Sequence, residues 1–210
     1  IVAEVHKTGI KLVTRVGRIE MDFGSRSRET WRHLEDALVR VRGCVFAVYD
    51  PATRLAVSGK IRFVHPSITV DEYPPADRFA VAARRVAALR SYDPQPNAFF
   101  QWVKVSGQIV HAHNGLYCLM EGGNGLRFFP KKETLLPAGA LVEVVGLPDL
   151  SGPSPALREA VVRVERQSRL PEAAVLTGTN LLSGSHDATL VRVESLLLNV
   201  SREGRPGAGG

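Results

Sequence analysis

Two histidines, His111 and His113, stand at alternate positions of a segment whose composition is typical of a β-strand. Side chains two residues apart on a strand point to the same face, so both imidazoles could reach one metal ion. Cys118 lies on the following predicted strand, and the pattern does not define its facing. Without an evident third ligand, two polar residues on an exposed face explain the pair better. We therefore predict no metal site and no cofactor, and keep these histidines as weak candidates.

An aromatic and basic patch is the stronger binding candidate. Alternation along two neighbouring predicted strands places Tyr117 on the first strand and Arg127 and Phe129 on the second, all opposite the core. The residues then assigned to the core are Leu116, Cys118, Met120, Leu126 and Phe128. A guanidinium between two aromatic rings could stack on a nucleobase or another planar ring. Scattered surface aromatics, or an interface between modules, would give the same pattern.

The sequence contains no motif typical of a catalytic site. Neither a His-Glu-x-x-His zinc motif nor a Gly-x-Ser-x-Gly nucleophile turn is present. The glycines within residues 122–125 lack the spacing of a phosphate-binding loop and are better explained as a hairpin turn. Cys44 follows a strand glycine among apolar neighbours, which favours a core residue over a nucleophile. We therefore predict that this chain is not an enzyme.

The composition excludes a disordered chain and a bundle of membrane-spanning helices. Of 210 residues, 44% are hydrophobic and 23% charged, with a mean hydropathy of −0.03. The net charge of +6 is spread thinly, without a Lys/Arg run longer than two residues. Nucleic-acid binding concentrates positive charge on one face, so the sequence argues against nucleic acid as a partner. Cys44 and Cys118 allow at most one disulfide, and whether they pair stays open.

A long-range repeat defines the predicted fold. Residues 1–6 (IVAEVH) match 109–114 (IVHAHN), and residues 37–43 (ALVRVRG) match 140–146 (ALVEVVG), so the copies are about 105 residues apart. Each copy contains three strands, then two more, with space for a helix between them in the first copy. That order is typical of an OB-type Greek-key barrel. We predict a mainly β protein of tandem OB-like five-stranded barrels with one short helix in the first module.

The predicted boundaries follow from the two copies. The first module covers residues 1–73, with a truncated first strand and a helix over about 25–38 that turns Trp31, Leu34 and Leu38 inward. Residues 55–70 form either an added hairpin or a long final strand. The other predicted segments are a connector (74–97), the second module (98–166), a second connector (167–186), a strand region (187–200) and a flexible tail (201–210). The strands of the second module are expected at 101–112, 115–121, 125–130, 140–147 and 159–166. The strand over about 189–200 is either the first of a third module or a swapped strand, and we expect it to pair with the first module or with a neighbouring chain.

Three runs of the second module resemble a known group of domains. Residues 103–107 (VKVSG), 115–125 (GLYCLMEGGNG) and 137–148 (PAGALVEVVGLP) resemble the tandem OB-like repeats in the extracytoplasmic sensor regions of bacterial sensor histidine kinases, often hybrid kinases. Residues 182–187 (LSGSHD) are similar to the connector that precedes a further strand in that family. The chain departs from the family by having Glu121-Gly-Gly where an acidic pair is usual.

The resemblance implies a non-catalytic input region of a two-component sensor histidine kinase. It implies the periplasmic part of an inner-membrane protein that forms homodimers, with membrane contact through segments outside this chain. The signal would be an unidentified small molecule or protein. Two other functions are compatible with the residues, an OB-fold protein that binds single-stranded nucleic acid and a structural interaction or dimerisation module.

Overall fold

The computed structural model describes residues 1–15, 17–24, 31–90, 100–150, 152, 154–181 and 184–196. The first five strands are β1 (Val2–Val5), β2 (Gly9–Thr14), β3 (Gly17–Asp22), β4 (Leu38–Tyr49) and β5 (Ala56–Glu72). The next five are β6 (Val103–His113), β7 (Leu116–Glu121), β8 (Asn124–Pro130), β9 (Ala140–Asp149) and β10 (Ala156–Gln167). Two short strands follow, β11 (Ala174–Leu176) and β12 (Val191–Val193). The short helices are α1 (Val86–Arg90) and α2 (Gly178–Leu181), with 3-10 turns at Arg32–Leu34 and Arg78–Ala80.

The second barrel is closed. Its strands follow the cyclic order β6-β7-β8-β10-β9, in which β8 and β10 are parallel and the other neighbours antiparallel. This is the strand order of an OB barrel, so the predicted fold class is confirmed. The observed strands lie within three residues of the predicted ones. Alternate valines of β9 point inward, and Val142 and Val144 are fully covered by the surrounding strands.

Strand β6 serves two partners because it bends at a glycine. Its first half, Val103 to Gln108, pairs with β9, and its second half, Gln108 to His113, pairs with β7. A Cβ atom at Gly107 would lie 2.5 Å from the carbonyl oxygen of Met120 and 2.7 Å from Leu119 Cδ2. Glycine therefore allows the close approach of β7 at the corner where the sheet curls into a barrel.

The first sheet has the same order, β1-β2-β3-β5-β4, with β3 and β5 parallel. Among the described residues no ladder joins β1 to β4. Instead β1 is hydrogen-bonded to the two residues just before β4: Val2 N–H donates to Ala37 C=O (3.0 Å), and Asp36 N–H donates to Val2 C=O (2.8 Å). Strand β5 runs without interruption through Ala56–Glu72, so residues 55–70 hold a long final strand rather than an added hairpin.

The helix predicted over about 25–38 lies partly outside the described residues, which exclude 25–30. In the described part Trp31 is helical, residues 32–34 form a 3-10 turn and Leu38 begins β4, so the helix does not extend to residue 38. Trp31 and Leu34 are nevertheless buried in the first core, where the Trp31 ring lies 5.5 Å from that of Phe23. Two of the three side chains that were predicted to face inward, Trp31 and Leu34, therefore do so.

The second barrel obtains its helical contribution from a different place. Residues 131–139, between β8 and β9, contain no helix. Instead α1, in the connector that precedes β6, buries Val86 and Leu89 in the second core. The connector is thus part of the second barrel, since Val86 N–H also donates to Glu121 Oε2 (2.6 Å).

The predicted strand over about 189–200 is observed at Val191–Val193, and residues 197–200 lie outside the described part. It pairs in parallel with the connector strand β11, in the register Ala174 with Val191 through Leu176 with Val193. Within the chain its partner is therefore the connector, so the predicted pairing with the first module is wrong for a single chain.

Across the described residues, no helix has the length and apolarity needed to cross a membrane.

Candidate ligand site between the two barrels

The sheet β1–β5, which we call the first barrel although no ladder closes it in the described structure, meets the second barrel at a cleft of about 540 Å³. The first barrel contributes the end of β2, Arg15 after it, and the start of β3 with Arg18. The second contributes the end of β9, the start of β10 and Phe100. The apolar lining residues are Val13, Phe100, Leu147, Pro148 and Leu150. The cleft therefore combines an apolar wall with guanidinium groups, and it exists only because the barrels are docked.

Ion pairs and a ring contact hold the arginines of this cleft. Arg18 donates through Nη2 to Glu159 Oε1 in the other barrel, and Arg158 donates through Nε to Asp149 Oδ2 across the β9–β10 pair. Arg15 lies over the Phe100 ring, 5.9 Å from its centroid. Three arginines, Arg15, Arg18 and Arg158, thus border the cleft. Guanidinium groups beside an apolar wall suit a ligand with an apolar body and an anionic group.

A bulge in β10 directs Glu159 toward the first barrel. The pairing of β10 with both β8 and β9 shifts register around this residue, which adopts φ of 51° and is buried. Bulges redirect a side chain at the edge of a barrel, and a buried carboxylate needs a charged partner. Arg18 supplies that partner, so the bulge is part of the contact between the barrels.

A second group of charges joins the barrels beside the cleft. Lys131 Nζ donates to Glu35 Oε1 (2.8 Å) and to Asp36 Oδ1 (2.9 Å), and Arg78 Nη2 donates to Asp36 Oδ2. The hydrogen bond from Lys131 is the main cause that lowers the pKa of Glu35, ahead of the opposing effect of burial. Arg78 also lies over the Trp102 ring, 5.2 Å from its centroid. These contacts connect the first barrel, the connector and the second barrel.

The structure does not bring the predicted patch of Tyr117, Arg127 and Phe129 to one open face. Tyr117 is buried in the second core, where its ring stacks on Phe128 at 5.3 Å and its hydroxyl donates to Thr134 C=O. The predicted outward facing of Tyr117 is therefore wrong, as are the core assignments of Leu116, Cys118 and Met120 in its place. Leu126 and Phe128 do face the core.

Arg127 and Phe129 lie on the outer face as expected, but both already have partners. Arg127 Nη2 donates to Asp187 Oδ2 (3.2 Å), and the Arg158 guanidinium lies 4.7 Å from the centre of the Phe129 ring. The binding role of the three residues stays a prediction that nothing in the structure tests. Phe129, through Arg158, connects the predicted patch to the cleft.

Residues 184–190, which we call the cover segment, lie against the outer face of β7 and β8. Leu190 N–H donates to the Met120 sulfur (3.0 Å), and Ala188 lies directly above Gly125. Met120 is buried by this contact although it points away from the barrel core. The outer face of the second and third strands is the surface with which OB folds bind ligands. In this chain its own cover segment occupies part of that surface.

His111 and His113 are both exposed, with ring centroids 6.3 Å apart. His111 pairs with Cys118 across the β6–β7 ladder. Within the described part of the chain, no three His, Cys, Asp or Glu side chains form a group that could hold a metal ion. The histidines thus stay without a third ligand in the described residues.

The two cysteines are free thiols in different environments. Cys44 is exposed on β4, which corrects its assignment to the core. Cys118 is half-buried on β7, and burial is the main cause that raises the pKa of its thiol. We expect iodoacetamide at pH 8 to alkylate Cys44 at least about tenfold faster than Cys118, because only a thiolate reacts. Peptide mass spectrometry over time measures both rates, with Cys44→Ser as the control; equal rates would contradict this assignment.

No family model matches the chain, and no curated protein matches it. Among solved structures, it is similar to the telomere capping protein Ten1 from Saccharomyces pombe at 12% identity, over 40% of this chain and 81% of that one (TM-score 0.32). It is also similar to the hypothetical protein YgiW from E. coli at 16% identity, over 41% and 92% (TM-score 0.33). A third is the Ifi202 HINa domain in complex with 20 bp dsDNA, at 9% identity over 79% and 90% (TM-score 0.33).

Proposed function

We propose that this chain is a non-catalytic recognition region whose two docked OB-type barrels bind a small ligand in the cleft between them. The observation that carries the proposal is the cleft itself, in which Arg15, Arg18 and Arg158 border an apolar wall drawn from both barrels. Ligand sites occur preferentially at domain interfaces and combine apolar walls with a few fixed polar groups. The ligand class is a small molecule with an apolar body and one carboxylate or phosphate group.

A ligand in this cleft would touch both barrels and would therefore favour the docked arrangement over an undocked one. That coupling suits an input region, in which binding changes how one module sits on the next. The resemblance of residues 103–148 to sensor repeats supports placing the chain in the extracytoplasmic part of a sensor histidine kinase.

Single-stranded nucleic acid is the second candidate ligand for the same cleft. The connection between the fourth and fifth strands of an OB fold is one of the loops that contact oligonucleotides, and here the ends of β9 and β10 border the cleft. Arginines next to aromatic rings, as in Arg15 with Phe100 and Arg158 with Phe129, are the combination on which bases stack.

One pair of variants tests both candidates. Leu150→Trp places an indole in the cleft, whereas Leu170→Trp adds the same ring at an exposed connector position outside it. Thermal-shift measurements with carboxylate- and phosphate-bearing metabolites, and fluorescence anisotropy with an oligothymidylate of about 12 nucleotides, measure binding. We expect a metabolite to bind wild type and Leu170→Trp alike, and Leu150→Trp to lose at least about tenfold in affinity.

The outcomes separate the candidates. Salt-dependent binding of the oligothymidylate that Leu150→Trp abolishes would replace the small-molecule proposal with the nucleic-acid one. A ligand that binds all three proteins equally would place recognition elsewhere on the chain. No binding of either class to folded wild type would overturn the proposed function.

A further inference from the structure

Two asparagines of the second barrel are each followed by glycine, Asn114 before Gly115 and Asn124 before Gly125. In such a pair the backbone nitrogen of the glycine can attack the side-chain carbonyl carbon of the asparagine, because glycine has no Cβ atom to hinder the approach. The ring closes only if the peptide unit between the two residues can rotate. The local structure therefore decides which of the two asparagines can react.

Asn114 and Gly115 form the exposed two-residue turn between β6 and β7. They adopt φ of 48° and 76°, and positive φ at both positions is what favours an Asn-Gly pair in a turn of this length. The ladder ends at the pair His113–Leu116, so rotation of the peptide unit requires only that this last pair opens. Within the described part of the chain, neither the Asn114 side chain nor the Gly115 N–H has a hydrogen-bond partner. Both reacting groups are therefore available.

Asn124 is held in place by contacts that Asn114 does not have. It begins β8, and the ladder pairs it with Glu121 and pairs Gly125 with Met120. Gly125 is buried, and the backbone of Ala188 covers it so closely that a Cβ atom at residue 125 would overlap the Ala188 carbonyl group. Ring closure at Asn124 would therefore have to break ladder pairs and displace the cover segment. Opening a ladder costs more free energy than opening a turn.

We propose that Asn114 is a site of spontaneous deamidation in the folded protein and that Asn124 is protected. The Gly115 nitrogen loses its proton to solvent base and forms a bond to Cγ of Asn114. The bond from Cγ to the side-chain nitrogen breaks, and that nitrogen takes up a proton from water and leaves as ammonia. Water then opens the cyclic imide at either of its carbonyl groups, which gives aspartate or iso-aspartate. The overall reaction consumes one water molecule and releases one ammonia.

Deamidation changes the charge at one end of the second barrel. Asn114 lines a pocket of about 530 Å³, in which the charged or titratable lining residues are His113, Lys132 and Glu133. The product adds a carboxylate to this pocket. Iso-aspartate also lengthens the main chain by one methylene group, so the two-residue turn no longer matches the pair His113–Leu116. This pocket shares no lining residue with the cleft between the barrels, so the modification is independent of the proposed ligand site.

Incubation of the wild-type protein at pH 8 tests the proposal, because the two asparagines are compared within the same molecule. Cleavage after Glu121 places them on different peptides, and mass spectrometry follows the mass increase of each peptide over time. We expect Asn114 to react at least about tenfold faster than Asn124 in the folded protein. In urea, which removes the structural difference, we expect the two rates to become similar because both residues precede glycine.

The products identify the route. We expect iso-aspartate in the Asn114 peptide, because opening of the cyclic imide forms it, whereas direct hydrolysis of the side-chain amide gives aspartate alone. Equal rates at the two asparagines of the folded protein, a faster reaction at Asn124, or aspartate without iso-aspartate would overturn the proposal. An Asn114 that stays intact in the folded protein while the chain in urea reacts would overturn it as well. None of these results depends on whether the cleft binds a ligand.

Discussion

Replacing Asp36 by asparagine is expected to lower the free energy of unfolding by about 3 kcal/mol and to separate the unfolding of the two barrels into two transitions. Asp36 is a buried carboxylate of the first barrel, held by Lys131 of the second barrel and by Arg78 of the connector. Without its negative charge, both cations lose a partner where little water can replace it. The two hydrophobic cores are distinct, so weakening their connection lets each barrel unfold by itself.

Asparagine keeps the rest of the site unchanged. Asp36 adopts φ of 66°, and asparagine tolerates this left-handed conformation as well as aspartate does, so the variant removes charge without adding backbone strain. Asp71→Asn, which breaks the exposed pair with Arg40, is the matched control and is expected to cost less than about 1 kcal/mol. Calorimetry measures both. A single transition at the wild-type Tm in Asp36→Asn would show that these charges do not couple the barrels.

The strand pattern of this chain could be predicted because alternation and the repeat agree with each other. The same alternation gave the wrong face for Tyr117, and the reason is visible in the packing of β7. The barrel core covers one face of this strand, while the cover segment buries Met120 on the other. A strand covered on both faces has apolar residues on both, so periodicity alone cannot tell inside from outside.

The cleft could not be predicted from the sequence. Arg18 and Glu159 are 141 residues apart and meet only because the barrels dock, and no local pattern marks either as a contact residue. The bulge that turns Glu159 toward Arg18 depends on pairing with two neighbouring strands. The burial of α1 in the second core could not be predicted for a related reason. A connector helix that enters the core of the following barrel has the composition of an ordinary linker.

Replacing Gly125 by alanine is expected to displace the cover segment and to raise the alkylation rate of Cys118 about tenfold or more. A Cβ atom at residue 125 would overlap the carbonyl group of Ala188 and lie 2.5 Å from the carbonyl oxygen of Asp187. These are backbone atoms, so the segment must move as a unit, and Arg127 loses its contact with Asp187. Less burial brings the pKa of the Cys118 thiol back toward its usual range. The cost in stability is about 1–3 kcal/mol, as for other overpacked sites.

Gly123→Ala is the matched control, because a Cβ atom there meets no other atom within 4 Å. It makes the same chemical change in the same hairpin and is expected to leave the Cys118 rate at the wild-type value. If Gly125→Ala is folded and its Cys118 rate is also unchanged, then the cover segment does not protect this face. If the rate rises, residues 184–190 shield the outer face of β7 and β8, which is the surface with which OB folds bind ligands. A ligand for that surface would then have to compete with the contacts of Asp187 and Leu190, so its affinity for Gly125→Ala should exceed its affinity for wild type.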